Sequence, residues 1–159
     1  TEVYIGKMLN DIVLLQKEVK GNRGMIFQLR LDPSIPPIIG NEDRLTQLFL
    51  NLIMNAAEAV DRNGQVEIVT RISSDYHLTK KGKRPSPLVV VEIRDNGNGI
   101  STDELDRIFT PFYTTKSMGT GLGLATCQKI VRDHEGFLKV ESSPGKGSLF
   151  SFSLPLVLN

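Results

Sequence analysis

The chain has 159 residues, which predicts one domain with a hydrophobic core of its own. Its formal net charge of +1 argues against a general nucleic-acid or membrane-surface binder. The single cysteine, Cys127, excludes an internal disulfide framework and fits a reducing compartment, and no apolar run approaches the length of a membrane span. Because the chain begins with Thr1 in what reads as the middle of a helix, we expect a fragment of a larger protein.

Apolar periodicity and turn residues predict nine regular elements. Asn41 is a candidate N-cap for the second helix, and Gly136 a candidate C-cap for the last one. The predicted elements are, in order, a helix over 2–20, a strand over 25–31, a helix from Asn41 to about Asp61, strands over 65–72 and 88–94, a helix over 102–108, a helix over 121–134, and a hairpin of strands over 137–141 and 148–154.

This order of elements predicts an α/β fold. The expected form is a two-layer sandwich, in which a mixed, mostly antiparallel sheet of about five strands carries three main helices on one face. The polar segment 73–87 joins two of the strands. Its basic run, residues 80–84, fits a solvated loop better than a phosphate-binding or targeting motif.

The second helix carries a narrow polar stripe formed by Asn51, Asn55, Glu58 and Arg62. The stripe borders the apolar face that should enter the core. A solvent-facing stripe is one interpretation. Asparagine is a poor helix former, however, and two of them four residues apart favour a ligand cleft. An amide oxygen can ligate Mg²⁺ without adding negative charge beside phosphates.

Two glycine-rich segments follow, over residues 95–100 and 119–124. Asp95 is either a turn former or a carboxylate at a pocket floor that accepts a hydrogen bond from an exocyclic amine. The second segment opens a helix, where free N–H groups favour phosphate oxygens, although a flexible hinge is the alternative. Its spacing fits neither a Walker A loop nor a Rossmann fingerprint.

The remaining reactive side chains predict no catalytic pair. His77 lies in the polar loop, and His134 at a helix end reads as a cation that stabilises the helix C-terminus. Cys127 reads as a small buried apolar residue.

Four motifs in a fixed order resemble those of the catalytic and ATP-binding domain of bacterial sensor histidine kinases, within the superfamily of gyrase B, Hsp90 and MutL. Residues 51–59 resemble the N box, 95–100 the G1 box, 109–116 the F box and 119–124 the G2 box. The Asp32–Pro36 segment and Glu58 resemble most the nitrogen-regulation subgroup. The resemblance implies a Bergerat-type ATP-binding fold with ATP and Mg²⁺ as ligands.

The resemblance also assigns roles to individual residues. Asn55 would ligate Mg²⁺, while Asn51 and Lys116 would act catalytically near the phosphates. Asp95 would bind the adenine amine. Glu58 departs from the many members that carry lysine there, which leaves that lysine's phosphate contact in doubt. The other residues implied to contact the nucleotide are Gly97, Gly99, Ile100, Phe109, Thr120, Gly121, Leu122, Gly123, Leu124 and Ser148, with residues 109–118 as a mobile lid.

For the whole protein, the resemblance implies transfer of the γ-phosphoryl group to a histidine on a separate domain. Residues 1–22 would be a helical linker from that dimerisation and phosphoacceptor domain, and residues 23–159 the catalytic domain. The expected partners are that domain and, through it, a response regulator. We expect a cytoplasmic location, a homodimeric parent and a monomeric fragment.

Two other classes of function stay open. One is an ATPase clamp of the gyrase or Hsp90 type, which resembles this site but carries a glutamate at position 51 to activate water. The other is an ATP-dependent binding module without phosphotransfer.

Overall fold

The computed structural model describes residues 1–20, 25–60, 64–73, 87–111 and 123–156. The helices in those ranges are α1 (Ile5–Lys20), α2 (Glu42–Ala59), α3 (Thr102–Leu105) and α4 (Gly123–Asp133). The strands are β1 (Glu2–Val3), β2 (Ile26–Arg30), β3 (Ile38–Ile39), β4 (Gln65–Ser73), β5 (Leu88–Asp95), β6 (Phe137–Ser143) and β7 (Gly147–Pro155). Compared with the predictions, α1 begins later, α3 ends earlier, and β1 and β3 are additional.

Five strands form one mixed sheet in the order β2-β4-β5-β7-β6. Only the β2–β4 pair is parallel, and the other three pairs are antiparallel. The two short strands β1 and β3 pair separately. The predicted α/β sandwich with a mostly antiparallel sheet of about five strands is therefore confirmed.

The core lies between this sheet and the helices. Alternate residues of β5, namely Val89, Val91 and Ile93, are fully buried and face the helices. Helix α2 places its apolar face over them, and Phe49 stacks on Phe152 of β7 with ring centroids 5.3 Å apart. Apolar burial of this extent is the main favourable term that holds the helical layer on the sheet.

Helix α1 belongs to the same hydrophobic core as the rest of the chain. The apolar spacing of the sequence predicts that Ile5, Met8, Ile12 and Leu15 lie roughly on one side of this helix. Leu9, Ile12 and Val13 are buried in the core, whereas Leu15 is 56% exposed. The prediction for Leu15 is wrong because packing against α2 sets the buried face of α1. The described part of residues 1–22 is thus packed as part of one unit. Its connection to a phosphoacceptor domain stays a proposal.

The ends of two helices are fixed by specific hydrogen bonds. The Asn41 side chain accepts a hydrogen bond from the Arg44 amide at 3.0 Å, which confirms Asn41 as the N-cap of α2. At the end of α4, Glu135 adopts a left-handed φ of 62°, and the Gly136 amide donates to the Val131 carbonyl at 2.8 Å. The predicted cap was therefore misplaced by one residue.

Gly136 is required for a different reason. A Cβ at this position would collide with the Ser153 carbonyl of β7, so glycine lets the turn after α4 pass close to the sheet. The turn leads directly into β6, which pairs with β7 as the predicted hairpin. The hairpin turn thereby returns to the end of β5. None of the described helices is long and apolar enough to span a membrane.

Candidate functional site

Asp95 is the last residue of β5, and its side chain points toward the helical layer. It is 4% exposed, and its Oδ1 accepts a hydrogen bond from the Gly97 amide at 2.9 Å. Burial raises the pKa of this carboxyl above its ordinary value, while amide hydrogen bonds from Gly97 and Ser148 offset part of the rise. A buried carboxylate at a strand end is an unusual feature for a residue that serves only as a turn former.

The glycine-rich turn after Asp95 is held tightly on two sides. A Cβ at Gly97 would collide with the Ala59 carbonyl at the end of α2. Gly99 has a φ of 75°, and a Cβ there would collide with the Ser143 carbonyl. The turn thus bridges the end of α2 and the β6–β7 hairpin, which explains both glycines by close approach.

A hydroxyl network joins the same turn to the hairpin. The Ile100 amide donates to Ser142 Oγ at 2.7 Å, and Ser142 Oγ lies 2.7 Å from Ser148 Oγ. Ser148 is 7% exposed and is the register partner of Asp95. We call this group, Asp95–Ile100 with Ser142 and Ser148, the strand-end half of the site.

The second group, the helix half, comprises Asn51, Asn55 and Gly123. Gly123 is the first residue of α4, and a Cβ there would lie 3.8 Å from Asn51 Cγ, so the start of α4 faces Asn51. Cys127, one turn further along α4, is fully buried as predicted. Burial raises the pKa of its thiol to about 12, against a lowering contribution from a hydrogen bond with Asn51.

The predicted polar stripe of α2 follows the border of the core. Asn51 and Asn55 are half-buried, Glu58 is exposed, and Arg62 lies outside the described residues. The apolar neighbours predicted for the inner face are buried, apart from half-buried Val60. The two asparagines therefore lie at the border of the core rather than on a fully solvated face, and Asn51 faces the start of α4.

The structure describes only part of the other predicted nucleotide contacts. Phe109 and Leu124 are half-buried and pack against the core. The segment over residues 112–122 lies outside the described residues, as does the basic run over residues 80–84. Predicted site residues in the first segment are Lys116, Thr120, Gly121 and Leu122.

The described donor set fits a magnesium nucleotide. The helix half offers neutral amide oxygens beside a glycine at a helix start, which suits Mg²⁺ that keeps water and phosphate oxygens as its other ligands. In the strand-end half, the buried Asp95 carboxylate is a hydrogen-bond acceptor, which fits the exocyclic amine of a base. Among the described residues, no group of three His, Cys, Asp or Glu side chains could hold a metal by itself.

A separate cavity of about 350 Å³ lies at the same end of the sheet. Its lining includes Asp95 and Ser148, but also Glu67, Arg94 and Leu149, whose side chains alternate with core residues and face away from the helices. The lining contains neither Asn51 nor Asn55. This cavity therefore lies mainly on the helix-free face, and it shares Asp95, Ser142 and Ser148 with the strand-end half of the site but no residue with the helix half.

Sequence reasoning missed one residue of the site, Ser142, and gave no partner for His134. Ser142 joins the glycine turn to Ser148, and the hairpin register that pairs these two serines could have indicated it. His134 lies at the far end of α4, where its Nε2 accepts from the Asn41 amide at 3.1 Å. Its Nδ1 lies 2.9 Å from the Ile130 carbonyl and donates to it, so the ring links the end of α4 to the start of α2.

The sheet with helices on one side, the buried carboxylate at a strand end and the asparagine-bearing helix beside a glycine-initiated helix together define an ATP-binding domain of the Bergerat type. The chain belongs to the family of histidine kinase-, DNA gyrase B-, and HSP90-like ATPases, whose model matches residues 40–158.

Its relatives include sensor histidine kinases. The chain is 45% identical over 129 residues to the sensory histidine kinase/phosphatase NtrB of Rhodobacter capsulatus, covering 79% of this chain and 35% of the relative. It is 36% identical over 154 residues to the sensor histidine kinase ZraS of Klebsiella oxytoca, covering 97% and 31%. The chain thus spans about a third of the length of these curated relatives. The predicted kinase resemblance, including that to nitrogen-regulation kinases, is confirmed.

Solved structures give the same answer for the fold. The nucleotide-free catalytic domain of histidine kinase ThkA superimposes with a TM-score of 0.80 at 29% identity, covering 98% of this chain and 94% of that one. A second structure shows ThkA in complex with the response regulator TrrA, with a TM-score of 0.76 at 26% identity and coverage of 99% and 42%.

Proposed function

We propose that this chain is the catalytic domain of a protein-histidine kinase that binds ATP with Mg²⁺ and donates the γ-phosphoryl group to a histidine on a separate domain. Family membership supports ATP binding. The relatives named above support phosphotransfer as the reaction, and the placement of Asn51 beside the start of α4 is the observation of this structure that carries the proposal.

The residue at position 51 favours a kinase over a hydrolytic clamp. The clamp ATPases resemble this site but carry a glutamate there, which can orient and deprotonate water. Asn51 has no such basicity; it faces Gly123 at the start of α4 and hydrogen-bonds with the Cys127 thiol. The site therefore binds and orients ATP, and the attacking group has to come from another domain.

Each half of the site has its own role in this proposal. Asp95 accepts a hydrogen bond from the adenine amine, while Asn51 and Asn55 direct amide oxygens toward the phosphate region. The amides at the start of α4 add positive potential there. Bound Mg²⁺ would neutralise phosphate charge, and Asn55 is the residue that would hold it. Catalysis in such a transfer consists mainly of positioning and charge stabilisation. Lys116 would assist from the lid that residues 109–118 are proposed to form.

We further propose that residues 1–22 continue into a dimerisation and phosphoacceptor domain of the same protein, and residues 23–159 act as the catalytic domain. The parent protein would be a homodimer in the cytoplasm or anchored facing it, whereas the fragment would be a monomer. A response regulator would receive the phosphoryl group from that domain; the complex of ThkA with the response regulator TrrA supports this partner.

The decisive experiment follows label from γ-³²P-ATP. The fragment alone should bind ATP without labelling itself or releasing phosphate at an appreciable rate. Addition of a phosphoacceptor domain from an NtrB-type kinase, or restoration of the upstream sequence, should yield an acid-labile, base-stable phosphohistidine. Rapid phosphate release by the fragment, with no label on the acceptor, would contradict the kinase proposal and favour a clamp ATPase. ATP binding without either reaction would favour a binding module.

A further inference from the structure

Four polar groups meet where the glycine-rich turn contacts the β6–β7 hairpin. The Ile100 amide donates to Ser142 Oγ at 2.7 Å, and Ser142 Oγ donates to the Gly147 carbonyl at 2.9 Å. Ser142 Oγ and Ser148 Oγ lie 2.7 Å apart, a short hydrogen bond in which distance alone does not decide the donor.

The chemistry of the other two groups decides it. A backbone N–H can only donate and a carbonyl can only accept, while a serine hydroxyl has one proton and two lone pairs. Ser142 therefore gives its proton to the Gly147 carbonyl and accepts from Ile100. Its second lone pair accepts from Ser148, so the Ser148 proton points at Ser142. This arrangement satisfies all four groups.

The consequence is that Ser148 presents only lone pairs to its remaining surroundings. Ser148 is the register partner of Asp95, both side chains are buried, and both lie on the face toward the helices. The carboxylate of Asp95 is also an acceptor when ionised. The two side chains at this strand end thus form a pair of hydrogen-bond acceptors. A ligand group that donates a hydrogen bond matches them, whereas a ligand group that only accepts does not.

We propose that Ser142 is a specificity-determining residue that acts through Ser148. Because Ser142 accepts the hydroxyl proton of Ser148, Ser148 cannot donate a hydrogen bond to the base, and 6-oxo purines are excluded. Adenine carries an amine donor at position 6, whereas guanine and hypoxanthine carry a carbonyl acceptor there. This inference rests on the proposed binding of the adenine base beside Asp95. It assigns the discrimination between 6-amino and 6-oxo purines to two hydrogen-bonded hydroxyls, in which Ser142 on β6 orients Ser148 on β7.

The test compares ADP with inosine diphosphate, which differs at position 6 without adding the 2-amino group of guanine. Calorimetric titration with Mg²⁺ gives the ratio of the two dissociation constants in the wild type and in variants. In Ser142→Ala the Ser148 hydroxyl can rotate and donate to a 6-oxo group, so we expect the preference for ADP to narrow about tenfold. Ser142→Thr keeps the hydroxyl and should retain the preference. Ser143→Ala, an exposed neighbour, is the matched control and should also retain it.

A double-variant cycle separates this role from a structural one. If Ser142 acts through Ser148, then Ser142→Ala should leave the ADP preference unchanged in a Ser148→Ala background. Equal weakening of both nucleotides by Ser142→Ala would show that the residue only holds the turn, and would overturn the inference. A narrowed preference that persists in the Ser148→Ala background would also overturn it. If the wild type binds neither nucleotide, the proposed function fails as well; an ADP preference that Ser142→Ala does not change contradicts this inference alone.

Discussion

The strand-end half and the helix half of the site are held together in different ways. In the strand-end half, the Asp95 carboxylate, the glycine turn and the two serines bond one another directly at 2.7 to 2.9 Å. In the helix half, Asn51 and Gly123 come together because α2 packs against α4, with Cys127 buried between the two helices. Hydrogen bonds among its own residues fix the strand-end half, whereas the packing of α2 against α4 fixes the helix half.

This difference predicts a division of work. Groups that are bonded to one another before a ligand arrives can discriminate between bases, since they cannot rotate to suit the wrong one. Groups held by helix packing can adjust to a flexible phosphate chain and its metal. Substitutions in the strand-end half should therefore alter stability or base preference, and those in the helix half should alter dependence on Mg²⁺.

The largest effect is expected for Gly99→Ala, compared with Gly145→Ala. Both glycines have a left-handed φ, 75° and 78°, so alanine is strained at either position. At Gly145 a Cβ meets open space, and the cost should be about 1 kcal/mol. At Gly99 it would collide with the Ser143 carbonyl, and the cost should exceed about 4 kcal/mol. Urea denaturation measures both, and equal costs would show that the turn is less tightly held than we infer.

Asn55→Ala should weaken nucleotide binding by roughly a hundredfold in the presence of Mg²⁺. This factor is near the upper end of the free energy that is lost with one hydrogen bond to a charged group. Removal of Mg²⁺ with a chelator should abolish the difference between variant and wild type, because the lost group acts on the metal. Met54→Ala, on the exposed side of the same helix, is the control. A deficit that is equally large without Mg²⁺ would assign Asn55 a structural role. Calorimetry with a non-hydrolysable ATP analogue measures both conditions.

Asp95→Asn should reduce ADP affinity about ten- to a hundredfold, since an amide can present a donor to the adenine amine where the carboxylate accepted. The same change should stabilise the nucleotide-free protein at neutral pH. Because burial raises the pKa of Asp95, the native state binds this proton more tightly than the unfolded chain does. The free energy of unfolding therefore falls as pH rises from the ordinary value of 3.8 through the raised pKa, and the penalty is fully present above it.

Denaturation at several pH values tests the stability claim. The advantage of Asp95→Asn over the wild type should be greatest at neutral pH and should shrink as pH falls toward 3.8, where the wild-type carboxyl becomes protonated. Asp106→Asn, the same substitution at an exposed residue after α3, is the matched control. A stability gap that does not change with pH would indicate that Asp95 carries no burial penalty.

The long elements could be predicted because their patterns are strong. In β5, buried residues either follow one another or alternate with more exposed ones. Capping residues and glycine-rich turns mark where the helices begin and end. The two-residue strands β1 and β3 have no periodicity to detect, since their pairing depends on where α1 packs. The left-handed Glu135 was missed because the need for glycine at position 136 arises from the approach of Ser153, a contact that only the tertiary structure shows. Within the site, the motifs predicted which residues belong to it, but the link between Ser142 and Ser148 depends on the register of the hairpin.

The smallest effect concerns His134, which ties the end of α4 to the start of α2. Its ring bonds to the Asn41 amide and to the Ile130 carbonyl. These two hydrogen bonds hold α2 and α4 together at the end of α4 that is remote from the helix half. His134→Ala should cost about 1 to 2 kcal/mol of unfolding free energy, the net value of these bonds. Lys129→Ala, which removes an exposed ion pair with Asp133 on the same helix, should cost less than about 0.5 kcal/mol. Because the helix half depends on this packing, His134→Ala should also weaken MgADP more than adenosine, which lacks phosphates. Equal loss for both ligands, or a stability cost no larger than that of Lys129→Ala, would mean that α2 and α4 keep their positions without this link.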